Sequence, residues 1–166
     1  MNFYRMNERA VAPKRATAGS ACFDLYSCFA QDGEVTRLGK REGESWQTKP
    51  VDDYRVINPG QRMAIPTGII LEIPEGHVVK VFARSGLSYK KGITLANCVG
   101  IIDHDYREEL YVLLRNDSLE SYKIEHGERI AQMLLEKVLN YELLEIDSRP
   151  AILDTRDGGM GSTGKK

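Results

Sequence analysis

Short apolar runs rich in Val, Ile and Leu recur along the chain, and turn-forming residues separate them. Runs of this length, divided by glycine, proline and asparagine, are typical of β-strands joined by tight turns. We predict strands at residues 21–26, 62–65, 68–73, 77–82, 93–95, 109–115, 121–124 and 139–146. Strands of this number and length indicate an all-β fold of the jelly-roll or distorted-barrel type.

Two segments need a separate interpretation. Residues 128–138 contain strong helix formers, but they follow a glycine turn in hairpin register, and we predict a strand there. Residues 85–91 predict one short helix, with Ser85 as its N-terminal cap and Gly92 at its C-terminal end.

The length of 166 residues is typical of a single domain, and 42% hydrophobic residues are enough to form its core. Residues 29–56 are rich in Gly, Glu, Lys and Asp and contain the only tryptophan, Trp46, so we interpret them as an insertion. Residues 156–166 contain four glycines between 158 and 164, which predicts a flexible C-terminal arm.

Charge and hydropathy exclude several classes of protein. The net charge of −1 gives no overall field for nucleic acid or an acidic membrane, so we expect no stable nucleic-acid binding. No apolar run approaches the ~18 residues of a membrane span. The N-terminus lacks the apolar core of a secretory signal, and the three cysteines form no C-x-x-C unit. We therefore expect an intracellular protein with reduced cysteines.

Three polar segments could carry chemistry. At residues 84–87 an arginine, a serine and a glycine meet at a strand end, which suits either an anion site or a helix cap. Residues 97–109 combine carboxylates and a tyrosine between two strands, which suits either a general base beside a sugar-packing ring or a polar hairpin turn. Residues 159–165 match the start of a Walker A loop, but the strand and helix that such a loop needs are absent from the sequence pattern.

Five segments, taken in order, resemble the five motifs of the homotrimeric dUTPases. They are AGSACFDL (18–25), RSGL (84–87), NCVGIIDHDYREE (97–109), GERIAQ (127–132) and GGMGSTG (158–164). The resemblance implies a β jelly roll that hydrolyses dUTP to dUMP and pyrophosphate with Mg²⁺ as cofactor. Such an enzyme removes dUTP and supplies dUMP for thymidylate synthesis.

The resemblance also implies roles for individual residues. Asp103 would activate the water that attacks the α-phosphorus. Asp24 would hold Mg²⁺ through water, and Arg129 would support the fourth motif by pairing with a carboxylate. The phosphates would be contacted by Arg84, Ser85, Gly86 and Gln132.

For the nucleoside, the resemblance implies recognition of uracil by Asn97 and by the main chain around Gly100 and Ile102. Tyr106 would pack beneath the deoxyribose and exclude UTP, because a 2′-hydroxyl would clash with its ring.

In this family the active site is shared between the subunits of a homotrimer, and the glycine-rich arm closes over the nucleotide of another subunit. Met160 stands at the position of an aromatic residue that stacks on uracil. The arm residues implied to contact substrate are Arg156, Met160, Gly161, Ser162 and Thr163.

Two alternatives stay open. One is an enzyme similar to dCTP deaminase, which shares the fold, but the position of its catalytic glutamate is occupied here by Leu113. The other is a non-catalytic interaction protein on the same fold, with Trp46 and the rest of residues 29–56 as the docking element for a protein partner.

Overall fold

The computed structural model describes residues 1–29 and 53–151. Within these ranges the chain forms eleven strands and one helix. They are β1 (Asn2–Arg5), β2 (Phe23–Tyr26), β3 (Tyr54–Ile57), β4 (Arg62–Pro66), β5 (Ile69–Glu72), β6 (His77–Phe82), α1 (Ser85–Lys91), β7 (Ile93–Leu95), β8 (Gly100–Ile102), β9 (Tyr111–Asn116), β10 (Tyr122–Glu125) and β11 (Arg129–Lys137).

The described strands pair in four antiparallel groups. The largest sheet has the order β2-β11-β6-β8, and a second has the order β4-β9-β7. The pairs β1-β5 and β3-β10 complete the set. The fold is thus mostly β with one short helix, as the sequence predicts.

The core lies between these groups, and alternation along the strands fills it. In β9, Val112, Leu114 and Asn116 are buried whereas Leu113 and Arg115 are exposed. This is the period of two that a strand with one buried face requires. The largest fully buried side chains come from many elements: Leu25, Phe29, Ile57, Ile65, Ile69, Ile73, Ile93, Leu110, Leu114, Ile124, Ile130 and Met133.

Most of the predicted elements are confirmed. Residues 129–137 form a strand, as expected for the ambiguous 128–138 segment, and it lies between β2 and β6. The short helix occupies Ser85–Lys91 and ends at Gly92, whose φ of 64° is the left-handed conformation that favours glycine.

Several details of the prediction are wrong. Arg84, not Ser85, is the N-cap residue of α1, and within the described chain no side chain caps this helix. Residues 139–146 are exposed and form no strand in the described structure. Strands β1, β3 and β8 were not predicted, because β1 is exposed throughout, most of β3 lies in the segment interpreted as an insertion, and β8 lies in the polar 97–109 segment.

Both ends of the predicted 29–56 insertion belong to the folded domain. Phe29 is fully buried, and Tyr54–Ile57 is strand β3, paired with β10. Arg9 joins the two ends, because its guanidinium donates to the Phe29 carbonyl at 2.9 Å and pairs with Asp53 at 2.7 Å. Residues 30–52, with Trp46, lie outside the described residues.

Candidate active site

A cavity of about 290 Å³ lies where β6, β7, β8 and β9 meet. Five of the predicted site residues line it, and all come from the 97–109 segment. The lining consists of Val81, Leu95, Asn97, Gly100, Ile101, Ile102, Asp103, Tyr106, Leu110, Tyr111, Val112 and Leu113. Its walls are therefore largely apolar, with a few polar groups among them, which is typical of a small-molecule site.

The start of β8 shapes one wall of this cavity. Gly100 pairs with Val81 of β6, and a Cβ on Gly100 would lie only 3.1 Å from the Val81 Cβ. The same Cβ would lie 3.7 Å from the amide nitrogen of Asn97. Glycine therefore lets the backbone approach β6 closely beside the Asn97 side chain.

A tight turn before β8 presents Asn97. Cys98 has a φ of 61°, the left-handed conformation, which is uncommon for a residue with a side chain. The Val99 amide donates to the Asn97 carbonyl at 2.6 Å across this turn. The exposed Asn97 amide thus stands at the cavity, free to hydrogen-bond with a ligand.

Asp103 and Tyr106 follow β8 in the chain and also line the cavity. The Tyr106 amide donates to the Asp103 carbonyl at 3.2 Å, and the Tyr106 hydroxyl donates to the Glu109 carbonyl at 2.8 Å. Burial raises the pKa of Tyr106, with smaller contributions from the charges of Glu108 and Glu109. The hydroxyl therefore stays protonated and keeps its donor role. Asp103 is exposed, so its carboxylate is accessible to water.

Tyr111 and Glu109 belong to this region and were not predicted from the sequence. Tyr111 is half-buried, lines the cavity and hydrogen-bonds with the Glu109 side chain. Its pKa is raised mainly by burial and also by this hydrogen bond. The alternation of β9 could have identified Tyr111 from the sequence. Its side chain lies on the same face of the strand as Leu113, which also lines the cavity, and not on the face of buried Leu114.

A second group of predicted residues surrounds Asp24. This carboxylate is almost buried, and it pairs with Arg84 Nε and with Arg129 Nη1, each at 3.3 Å. Arg84 also donates to the Arg129 carbonyl at 2.9 Å, and Gln132 donates to the Ala83 carbonyl at 3.1 Å. Two guanidinium groups against one carboxylate leave one positive charge, which suits an anion such as phosphate.

The remaining predicted residues divide between exposed positions and the part outside the description. Ser85 and Gly86 are exposed at the beginning of α1, next to Arg84. Arg156, Met160, Gly161, Ser162 and Thr163 lie outside the described residues. The structure thus brings the predicted residues together in two groups. The cavity group consists of Asn97, Gly100, Ile102, Asp103 and Tyr106. The arginine group consists of Asp24, Arg84, Arg129 and Gln132, with Ser85 and Gly86 next to Arg84. Among the described residues, no member of the arginine group lines the cavity.

No cluster of three or more His, Cys, Asp or Glu side chains exists in residues 1–29 and 53–151. The one acidic side chain of the arginine group, Asp24, already faces two cations. No helix in the same ranges is long and apolar enough to cross a membrane.

The chain is similar to known proteins over most of its length. The family model for dUTPase matches residues 51–164. A deoxyuridine 5'-triphosphate nucleotidohydrolase of Hydrogenobaculum sp. is 40% identical over 162 residues, which cover 98% of this chain and 96% of that protein. One from Finegoldia magna is 49% identical over 108 residues, which cover 65% and 75%.

Among solved structures, the chain is similar to a dUTPase mutant of Staphylococcus bacteriophage 80alpha with dUpNHpp. The TM-score is 0.75, the identity is 23%, and the match covers 98% of this chain and 97% of that one. A likeness at this identity supports the fold described above.

Proposed function

Because this chain belongs to the dUTPase family, we propose that it hydrolyses dUTP to dUMP and pyrophosphate. The observation that carries the proposal is the cavity at which Asn97, Asp103 and Tyr106 meet. It places an amide, a carboxylate and an aromatic ring around a space suited to a pyrimidine nucleoside. The reaction would remove dUTP and supply dUMP for thymidylate synthesis.

Uracil recognition would come from Asn97 and the main chain around Gly100 and Ile102. These groups can pair with the acceptor at O4 and the donor at N3 of uracil. Cytosine reverses both, so it would leave polar groups unpaired in the cavity, and such mismatches are rejected strongly. Tyr106 would pack beneath the deoxyribose and leave no room for a 2′-hydroxyl.

Asp103 would act as general base. Its carboxylate takes a proton from water while the water oxygen forms a bond to the α-phosphorus. The bond between that phosphorus and the oxygen bridging to the β-phosphorus breaks, and the electron pair leaves with pyrophosphate. The exposed position of Asp103 at the cavity supports this role.

The arginine group would hold the triphosphate. Arg84 supplies the charge, and Ser85, Gly86 and Gln132 supply hydrogen bonds. Arg129 supports the group through its pairing with Asp24. Bound Mg²⁺ would neutralise phosphate oxygens, and this ion commonly keeps several waters and takes one or two carboxylates besides the phosphates. A single carboxylate already paired with two arginines fits contact through water, so we assign that contact to Asp24.

We propose that the complete site forms in a homotrimer. The arginine group does not line the cavity of its own chain, so the residues that hold the phosphates would come from a second copy. The 156–166 arm of another copy would cover the nucleotide, with Arg156, Ser162 and Thr163 at the γ-phosphate and Met160 and Gly161 near the base. Closure would exclude bulk water and align the attacking molecule.

The sharpest test of the reaction compares dUTP, dCTP, dTTP and UTP, with pyrophosphate as the measured product. We expect release from dUTP alone. Ammonia or dUTP formed from dCTP would instead indicate a deaminase. Leu113 argues against that outcome, because it places a hydrocarbon in the cavity lining where deamination needs a proton-transferring group.

Sharing of the site is tested by mixing two inactive variants. Asp103→Asn removes the base and Arg84→Ala removes a phosphate ligand. Co-refolded subunits should regain activity, because some sites then combine an intact Asp103 with an intact Arg84. Absence of regained activity, with trimers shown by sedimentation equilibrium, would place the whole site in one chain.

Residues 30–52 we propose as a docking element for a protein partner, beside the catalytic role. Deletion of these residues should leave dUTP hydrolysis intact, because Phe29 and β3 remain to close the core. A loss of hydrolysis in the folded deletion variant would assign the segment to catalysis.

All three cysteines lie in the described ranges without a disulfide, which supports the expectation of an intracellular setting.

A further inference from the structure

Glu109 lies in the segment between β8 and β9 and makes three hydrogen bonds around the cavity. Its side-chain oxygen accepts the Gly68 amide at 2.7 Å, and its carboxylate also bonds the Tyr111 hydroxyl. Its main-chain carbonyl accepts the Tyr106 hydroxyl at 2.8 Å. One residue thus joins the two tyrosines of the cavity lining to a glycine 41 positions away.

The turn that receives Glu109 is fixed on its other side. Gly68 has a φ of 66°, and a Cβ there would lie 2.8 Å from the Ala10 Cβ. Thr67, the residue before Gly68, donates to the Leu110 carbonyl through both its amide and its hydroxyl. The carbonyl of Ile69, the residue after Gly68, accepts a hydrogen bond from the Leu110 amide at 2.8 Å. The turn between β4 and β5 is therefore a rigid support for Glu109.

Tyr106 depends on this support for its position. Residues 103–109 form no helix or strand, and Tyr106 is 39% exposed, so packing alone does not hold its ring. The hydroxyl bond to the Glu109 carbonyl is the contact at its far end. That carbonyl shares its peptide group with the Leu110 amide, so the Leu110 bond to Ile69 and the Glu109 carboxylate bond to the Gly68 amide hold it together. Loss of the carboxylate bond removes one of these two anchors and would let the Tyr106 ring move relative to the cavity.

We infer that Glu109 is a positioning residue that fixes Tyr106 in the cavity and so sets the discrimination between deoxyribonucleotide and ribonucleotide. This inference rests on the proposed function, in which the Tyr106 ring excludes a 2′-hydroxyl. Glu109 itself acts through its tether to the Gly68 amide, without touching the nucleotide.

The test compares dUTP and UTP as substrates of four proteins: the unmodified chain, Glu109→Ala, Glu109→Gln and the control Glu108→Ala. Glu109→Ala removes the bond to the Gly68 amide. The ratio of kcat/KM for UTP to that for dUTP should then rise about tenfold, mainly through a lower KM for UTP. Glu109→Gln keeps an oxygen that accepts the Gly68 amide, and should restore the ratio. Glu108→Ala removes the neighbouring exposed carboxylate and should leave the ratio unchanged.

Two outcomes would overturn the inference: an unchanged ratio in folded Glu109→Ala, whether or not both activities fall equally, or the same rise in Glu108→Ala. If Glu109→Ala does not fold, Glu109→Asp replaces it, because it keeps the charge but withdraws the oxygen by one methylene. A smaller rise in the ratio then supports the inference, and no rise overturns it.

The proposed function is judged separately, by dUTP cleavage in the unmodified chain. If that cleavage is absent, relative binding of dUMP and UMP by the same variants still tests Glu109. Equal preference for dUMP in all of them would then overturn its positioning role.

Discussion

Replacement of Gly68 by alanine gives a direct test of the rigid turn between β4 and β5. The new Cβ would lie 2.8 Å from the Ala10 Cβ and 2.9 Å from the Cys28 sulfur, and both of these residues are buried. Contacts this short force the neighbours to move, and overpacking of this kind costs about 1–3 kcal/mol. The left-handed φ of 66° adds about 1–2 kcal/mol for a residue with a Cβ.

The free energy of unfolding should therefore fall by about 2–5 kcal/mol in Gly68→Ala. Gly60→Ala is the matched control, because Gly60 has a φ of 73° but a Cβ added there would meet no described heavy atom within 4 Å. It should lose only the conformational part, about 1–2 kcal/mol. The difference between the variants isolates the packing around Ala10 and Cys28.

Urea unfolding at one fixed protein concentration measures both variants, since subunit association would otherwise shift the midpoints. With a slope of about 2 kcal/mol per molar urea, the Gly68→Ala midpoint should lie about 0.5–1.5 M below that of Gly60→Ala. Equal midpoints with equal slopes would refute the reasoning, because they would mean that the turn yields freely. The support proposed for Glu109 would then fail as well.

Other changes test the catalytic proposal and the folded state. Asp103→Asn should bind a non-hydrolysable dUTP analogue normally but lose at least about a hundredfold in kcat, since it lacks the base; unchanged turnover would contradict that role. Tyr106→Ala should admit UTP, measured as pyrophosphate release, whereas continued exclusion would place the sugar gate elsewhere. Truncation after Thr155 should preserve the trimer in sedimentation but greatly reduce hydrolysis, and full activity would rule out a covering arm. His126 accepts the Phe29 amide through Nδ1, and its pKa is lowered by burial first and by the charge of Arg9 second. The folded state therefore binds fewer protons than the unfolded state, and stability should fall as the pH drops below about 6.5. The urea midpoint of His126→Gln should depend less on pH than that of the unmodified chain, and an equal dependence would contradict this.

Local patterns predicted the strands that carry an apolar face. The alternation of buried and exposed residues identifies β9, and the glycine after α1 identifies the end of the helix; both patterns are contained within a few neighbouring residues. Strand β1 leaves none, because all four of its residues are exposed and only its pairing with β5 makes it a strand. Residues 139–146 show the reverse case: they have the apolar content of a strand but no partner strand among the described residues.

The cavity residues were found through the resemblance, and the residues that hold them were not. Asn97, Asp103 and Tyr106 lie within ten positions of one another, so a single motif contains them. The bond from Gly68 to Glu109 connects two turns that are distant in sequence, and no periodicity encodes such a contact. Sequence patterns therefore locate groups that face a ligand more readily than groups that fix their positions.

Strand register decides whether the arginine group can form at all. Asp24 lies opposite Gln132 in the pairing of β2 with β11, and side chains directly opposite share a face. Arg129 is three residues from Gln132, and in a regular strand that odd spacing would place the two side chains on opposite faces. The register shifts between Arg129 and Ala131, so Ile130 and Ala131 are both buried while Arg129 remains exposed.

This bulge shifts the alternation of β11 by one residue, and Arg129 thereby reaches the Asp24 carboxylate at 3.3 Å. Because β11 also pairs with β6, which ends two residues before Arg84, the same register sets the second guanidinium against Asp24. A one-residue slip of β11 would turn Gln132 toward the core and separate these charges. The bulge in β11 is therefore as necessary to the proposed phosphate site as the charged residues themselves.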